Sequence, residues 1–323
     1  MTSTAKTIPE WQEADAPGLS ERLAALSQPV VLRGLVKHWP AVQAADICSY
    51  LRGMEQQGAE VFATKTRPAA RGVMGYAEGL TDFNFVKAKL LFAEFIDVLE
   101  SYRSRGPETP VPSVAAQCAR IRDTVPRFVE ENRLQMLPAS VEPNLWLGNA
   151  LTVPVHHDHP HNMACVVAGH RRFTLFAPEQ IGNLYIGPLE YTPSGAPISL
   201  VDPHAPDFER YPRWRDALQA AWVAELGPGD ALYIPPLWWH QVQALDTVNL
   251  LVNYWWPVLG ASGDTQGTSP VASLLQAIKV LNALPAAQRE AWAALFEHYV
   301  VQREQEPGAH IPEHRQGVLA RRR

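Results

Sequence analysis

The chain has 323 residues and a mass of 35.8 kDa, enough for one large domain or two small ones with a full core. With 46% hydrophobic and 19% charged residues it is too apolar for a disordered chain. Its 28 basic and 33 acidic residues, net −5, leave no electrostatic footprint for wrapping nucleic acid. Cys48, Cys118 and Cys165 are dispersed and form no CxxC pair, which argues against a disulfide scaffold or structural zinc and fits a reducing cytoplasm. The N-terminus lacks a signal-peptide pattern, and no apolar run approaches the ~20 residues of a membrane span. The 28 prolines favour many short elements over a helical bundle, a coiled coil or a solenoid.

In chain order, residues 18–27 predict a short amphipathic helix, and Pro29 introduces Val30-Val31-Leu32, a buried strand. Residues 60–64 predict a second strand, and 65–84, rich in Gly, Pro and charge, a loop. Residues 88–104 set Leu91, Phe92, Phe95, Ile96 and Leu99 on one helical face, and 105–112 is a linker. From Asn144 the texture changes to short apolar strands bounded by Gly and Pro: 145–147, 163–167, 172–176, 223–226, 230–234, 241–244 and 249–254. That punctuation predicts a mainly β sandwich or barrel with flanking helices. The long proline-rich stretch 177–216 has the length of a loop that serves a site. Trp214 and Trp222 flank a short helix and read as core. After Pro270, helices over 271–284 and 285–302 carry apolar faces, Leu274, Leu275, Ile278 and Leu281 on the first and Trp292, Leu295, Phe296 and Tyr299 on the second. The arginines at 321–323 read as a solvated end. The organisation is an α/β extension over 1–112, a β core over 113–262 and a C-terminal helical pair over 263–323.

Four of the eleven histidines, His156, His157, His159 and His161, fall within six positions. On an extended chain side chains alternate, so His156 and Asp158 point one way and His157 the other. His-x-Asp can thus offer two neighbouring ligands to one metal. The third candidate is His240, in GPGDALYIPPLWWHQV. Two imidazoles and one carboxylate with the other positions open are the facial triad of non-haem Fe(II) oxygenases, and the open positions suit a bidentate keto acid and dioxygen. By itself the His-x-Asp pair equally fits a solvated histidine-rich turn or an adventitious metal binder.

The segments VPVHHDHPHNMACVVAGHRRFTLFAP, NLYIGPLE, PDFERYP, GPGDALYIPPLWWHQV and VNYWW carry a resemblance. With PVVLRGLVKHWPA before them and AHIPEHRQGVLA after, they resemble the cupin-like, Jumonji-C-type 2-oxoglutarate oxygenases. That family includes the asparaginyl hydroxylase of hypoxia-inducible factor, and the terminal segments look like bacterial members. The resemblance implies a double-stranded β-helix, or jelly roll, with Fe(II) held by His156, Asp158 and His240 and with 2-oxoglutarate as co-substrate. It assigns Asn162 and Asn253 to the co-substrate pocket and Trp255 to the substrate's side. Arg171 stands where the family usually has a lysine for the far carboxylate of 2-oxoglutarate, and its planar fork suits a carboxylate. Val153 stands where a threonine is common, and SVAAQCA (113–119) lacks the tyrosine that commonly joins the carboxylate pocket.

The reading that follows is a cytoplasmic Fe(II)- and 2-oxoglutarate-dependent hydroxylase of a small molecule or protein side chain. It implies no nucleic-acid or membrane partner, and a homodimer through the C-terminal helices, as in relatives of this layout. Two other readings stand beside it: a metal-binding cupin with a rebuilt carboxylate pocket, and a non-catalytic binding protein. His157, His159 and His161 are expected to be solvated loop histidines, His170 to sit in a turn without a role, and Trp238 and Trp239 to pack beneath His240 in the barrel core.

Overall fold

Period-two alternation makes strands, and here most strands are apolar on both faces, so the sheet they form needs a layer on each side. A computed structural model describes residues 5–12, 18–105, 109–257, 270–301 and 307–319. The arginines at 321–323, part of the linker at 105–112 and the boundary at 262/263 lie outside the described residues. The chain divides into two compact units, Met1–Val258 and Leu259–Arg323.

In the first unit two sheets face each other. The smaller runs β1 (Lys6–Thr7), β11 (Trp222–Leu226), β10 (Arg171–Phe176), β13 (Trp239–Ala244) and β8 (Leu151–His157). The larger runs β2 (Glu10–Trp11), β3 (Val30–Leu32), β12 (Ala231–Ile234), β9 (His161–Ala168), β14 (Asn249–Trp256), β7 (Pro143–Gly148), β6 (Val114–Arg120), β4 (Glu60–Thr66) and β5 (Phe85–Leu91). Successive strands from β7 to β14 are shared between the two sheets, the jelly-roll pattern. The sheets are not closed into a barrel by a shared ladder, so the expected barrel is an open sandwich. The N-terminal extension is not a separate layer at the sheet level: β4 and β5 lengthen the larger sheet beyond β6.

Alternation assigns the faces. Ala164 and Val166 on β9, Leu232 and Ile234 on β12, and Phe173 and Leu175 on β10 meet between the sheets. Met163, Cys165 and Val167, the other face of β9, pack with the N-terminal helices. Those helices are α1 (Leu19–Ala24), α2 (Pro40–Gln43), α3 (Ile47–Arg52), α4 (Phe92–Ser104), α5 (Ile121–Thr124) and α6 (Phe128–Glu131). In α4, Phe92, Phe95, Ile96 and Leu99 are fully buried on the predicted face. Each such side chain contributes about 1.5–3 kcal/mol. On the other side of the sandwich, α7 (Trp214–Ala220) and the segment before it cover Val155, Phe176 and Trp239. Trp214 is core there, while Trp222 is half-buried beside Trp238.

Three segments differ from the predicted elements. The helix expected from 88 starts at Phe92, because 85–91 is strand β5, the last strand of its sheet. Its alternation is masked by Lys87 and Lys89, charges of the kind that guard an edge strand. The segments 114–120 and 151–157 are strands that composition does not mark off from their neighbours. In the second unit α8 (Pro270–Leu281) and α9 (Ala286–Phe296) are the two predicted helices, the latter ending in a π turn at Glu297–Val301. Gln302, the predicted end, is outside the described residues. Neither helix carries a buried residue.

Candidate metal centre

His156 and Asp158 reach one side because β8 is irregular. Val153 pairs with Val242 and His156 with His240, so β8 has two residues between these pairs where β13 has one. This bulge falls at Pro154–Val155, a position where a strand tolerates proline. It reverses the alternation, so Leu151, Val153, His156 and Asp158 all line the space between the sheets. Val155 instead packs outward. On β13, His240 and Val242 face inward, while Trp239 lies outward with His157 across the ladder. The turn before β13 is tied to the ligand loop, because the Leu237 N–H donates to the Asp158 carbonyl at 2.9 Å. Leu237 holds φ 64° there, a left-handed conformation that a branched residue adopts only under tertiary constraint.

One ligand atom from each of His156, Asp158 and His240 lies within 4.8 Å of the others. The two imidazoles are oriented alike. His156 Nδ1 donates to the Pro154 carbonyl at 2.8 Å, and His240 Nδ1 to the Trp238 carbonyl at 3.0 Å. A carbonyl only accepts, so both rings carry the proton on Nδ1 and keep the Nε2 lone pair for a metal. His240 is buried, and its Nε2 is 3.6 Å from Asp158 Oδ2. Burial, helped by the neighbouring His156 ring, outweighs the carboxylate and lowers the His240 pKa to about 4. The ring is therefore neutral at pH 7, as a metal ligand would need to be, and the contact with Asp158 is not an ion pair.

A chain of amides and indoles holds the carboxylate. Asp158 Oδ2 accepts from Asn162 Nδ2 and from Trp255 Nε1, both at 3.1 Å. Asn253 Nδ2 donates to Asn162 Oδ1 at 3.1 Å, and Trp146 Nε1 donates to Asn253 Oδ1 at 2.7 Å. Asn162 and Asn253 face each other because β9 and β14 are ladder neighbours, and both line the pocket. Trp146 is the residue that sequence reasoning missed. Its signal was available: in the predicted strand 145–147 it is the one residue on the opposite face from Leu145 and Leu147, which pack with the helical layer.

Arg171 lies deeper on β10. The turn before it requires Gly169, whose φ is +69° and whose added Cβ would meet Asn249 Oδ1 at 2.4 Å. Arg171 is 8% exposed, so it is not a surface ion-pair residue. Its guanidinium donates to the Trp146 carbonyl at 3.2 Å, and its Nε has no partner. No carboxylate pairs with it among the described residues, and burial lowers its pKa to about 10. Val153 lines the same space, whereas Thr152 faces away, its hydroxyl 2.9 Å from His204 Nε2. At the end of β6, Ala115, Ala116 and Gln117 stand on the pocket wall, with no tyrosine.

Three expectations are corrected, for His161, His157 and Trp239. His161 is not a solvated loop residue: it is 5% exposed, its Nδ1 is 2.7 Å from the Tyr233 hydroxyl, and its ring stacks on Trp256. His157 is half-buried with its ring edge-on to Trp239, and desolvation lowers its pKa to about 4. His159 is exposed, as expected. His170 sits in the turn, bonded to Asp246. Trp238 packs between the sheets, but Trp239 packs outside them with Phe176 and Trp214, so only one of the pair lies in the inter-sheet core.

A sequence profile described as a cupin-like domain matches residues 17–260. Jumonji C domain-containing protein 5 of Drosophila melanogaster is 30% identical over 251 residues, 76% of this chain and 59% of that protein. Human bifunctional peptidase and (3S)-lysyl hydroxylase JMJD7 is 28% identical over 262 residues, 71% of this chain and 77% of that protein. Lysine-specific demethylase 8 of Xenopus tropicalis is 26% identical over 243 residues, 71% of this chain and 48% of that protein. This chain thus spans less than two thirds of the first and third of these relatives.

Proposed function

This chain belongs to the cupin-like domain family, and from that premise we propose that it is an Fe(II)- and 2-oxoglutarate-dependent oxygenase that hydroxylates a small molecule or a protein side chain. Relatives named as a lysyl hydroxylase and a lysine-specific demethylase support the oxygenase class. The observation that carries the reading is the cluster of His156, Asp158 and His240, with both rings presenting Nε2 and a neutral His240 among them. This donor set suits a first-row metal with open positions. When bound, Fe(II) and the keto acid would together activate dioxygen, the oxidant that cleaves a substrate C–H bond. The chain's own residues do the rest. His156, Asp158 and His240 hold the metal. The Asn162–Asn253–Trp146 relay and Trp255 fix the carboxylate's rotation. Arg171, a buried cation with an unused N–H, takes the far carboxylate of 2-oxoglutarate. Ala164, Phe173, Ile234 and Val242 exclude water from the space between.

The test is succinate formation from 2-oxoglutarate in the presence of Fe(II), with Asp158→Ala as control. Turnover that needs Fe(II) and is abolished in the variant is expected; metal binding without any 2-oxoglutarate binding would overturn the reading. That second outcome is the metal-binding cupin, favoured by one observation: Val153 and the tyrosine-free β6 supply no hydroxyl to a carboxylate.

The same reading carries two further proposals. Cys48, Cys118 and Cys165 are all free thiols, in keeping with the cytoplasm. Among the described residues no helix is long and apolar enough to cross a membrane. On α8 and α9, Leu274, Trp292, Leu295 and Phe296 are each more than 40% exposed, and we assign them to a homodimer contact, an isologous pairing of the same patch. Light scattering should give twice the chain mass of 35.8 kDa, falling to the monomer in Leu295→Arg; a native monomer would exclude it.

A further inference from the structure

We infer that the cleft in front of the metal ligands takes an apolar substrate that carries an acid group, an aryl or alkyl carboxylate, and not a cationic lysyl side chain. This rests on the oxygenase reading of the centre and names the substrate class for it. The cleft, about 550 Å³, opens directly off His156, Asp158 and Trp255. That is within the range of pockets that enclose a small ligand. One wall is the part of the larger sheet that the N-terminal strands add: Phe62 and Thr64 of β4 and Lys87 of β5. Thr64 and Lys87 are ladder partners and so share this face. The other wall is the segment 193–198, with Pro193, Ala196 and Ile198. Phe62 is 65% exposed at the mouth, an aromatic ring that faces water.

The charges in this cleft are few and of one useful sign. Among the described lining residues the one carboxylate is Asp158. It is engaged by Asn162, by Trp255 and by its place in the ligand cluster. A lysyl ammonium drawn out of water into this cleft would therefore find no free counter-charge, and burying an unpaired charge is strongly unfavourable. Lys87 is the lining ammonium. It donates to the Pro193 carbonyl at 2.9 Å, which ties the two walls together, and no carboxylate pairs with it among the described residues. An ammonium has three protons to donate, so two remain for an anion. Apolar walls that include Phe62 and Trp255, with Lys87 among the lining residues, fit a molecule with an apolar body and an acid group.

Calorimetry on the full chain without turnover tests this, using three probes with one body: 4-phenylbutyrate, 4-phenylbutan-1-ol and 4-phenylbutylamine. The acid should bind at least tenfold more tightly than the amine, with the alcohol between them. Lys87→Gln should bring the acid to within about threefold of the alcohol, as expected for loss of one charged hydrogen bond. Phe62→Ser should weaken all three alike. Binding of the amine as tight as the acid, or no binding of any probe, would overturn the inference. So would an acid preference that survives in Lys87→Gln but disappears in Arg171→Gln, because the acid would then sit in the inner pocket. None of these readouts requires catalysis. Absent succinate formation would count against the oxygenase reading and leave the probe result standing.

Discussion

The two ends of the space between the sheets are built on opposite terms. At the metal end the chain satisfies itself: the Asp158 carboxylate, the Asn162 and Asn253 amides and the Trp146 and Trp255 indoles hydrogen-bond in one connected set, and both histidine rings are fixed by carbonyls. At the deep end Arg171 has a single bond to a carbonyl and an unpartnered Nε among apolar neighbours. The first end is organised before anything binds, so its ligands lose little freedom on capture. The second is a buried charge without its counter-ion, which a bound anion would complete at the chain's own gain in stability.

The largest effect that would break this contrast is at the metal end. His240→Ala should lower Fe(II) affinity by at least a hundredfold in anaerobic titration, while the apo protein stays folded by circular dichroism. Retained tight binding would mean that His240 is a core histidine and not a ligand. At the deep end Arg171→Met should raise the apparent 2-oxoglutarate constant by one to two orders of magnitude, the worth of a charged hydrogen bond of about 1.5–3 kcal/mol. The same variant should stabilise the apo protein by about 1 kcal/mol or more in urea unfolding, because an unpaired buried cation is replaced by an apolar chain of similar length. Destabilisation of the apo form would show that the single carbonyl bond is enough for Arg171 and would remove the asymmetry.

Smaller effects separate the relay from the ligands. Asn253→Ala leaves Asn162 without its amide partner and Trp146 without its acceptor. It should reduce metal affinity by about ten- to a hundredfold, the scale of outer partners that orient a ligand. An unchanged affinity would mean that the relay serves packing alone. The smallest effect concerns the opposite face of β9, where burial lowers the pKa of His161 below its ordinary value. The folded state then binds its proton less readily than the unfolded chain, so this site's contribution to stability is lost as pH falls below about 6.5. His161→Phe should flatten the slope of stability with pH below that value by at most about 1.4 kcal/mol per pH unit. A slope identical to the parent's would show that the bond to Tyr233 offsets the burial.

Much of the centre was legible because local periodicity decides it. Alternation along an extended chain puts His156 and Asp158 on one side and His157 on the other, and the structure keeps that order. The same rule placed Asn253 on a strand, and the helical period chose the buried face of α4, whereas Asn162 lies one residue before the predicted strand 163–167. Alternation failed at Val155, where the bulge against β13 shifts the register, and no local signal apart from Pro154 marks it. It failed at 85–91, where the chain is extended because β4 offers a free edge and not because FVKAKLL prefers a strand. His161 has the composition of a loop histidine, yet β12 and β14 flank its strand and bring Tyr233 and Trp256 to its ring.

By itself the sequence determined the composition class, the short punctuated strands and the placing of His156 and Asp158 on one side of the chain as candidate ligands, since these depend on residue type and on spacing within a few positions. The tertiary structure alone decided that His240 meets Asp158 across 82 residues of chain. It also decided that Arg171 is stripped of water and that the N-terminal strands widen the sheet into one wall of the cleft beside His156 and Asp158. Each of these is set by which strands pair and which layers cover them. Such pairings are chosen by the summed burial of the whole core, a quantity that no short stretch of residues contains.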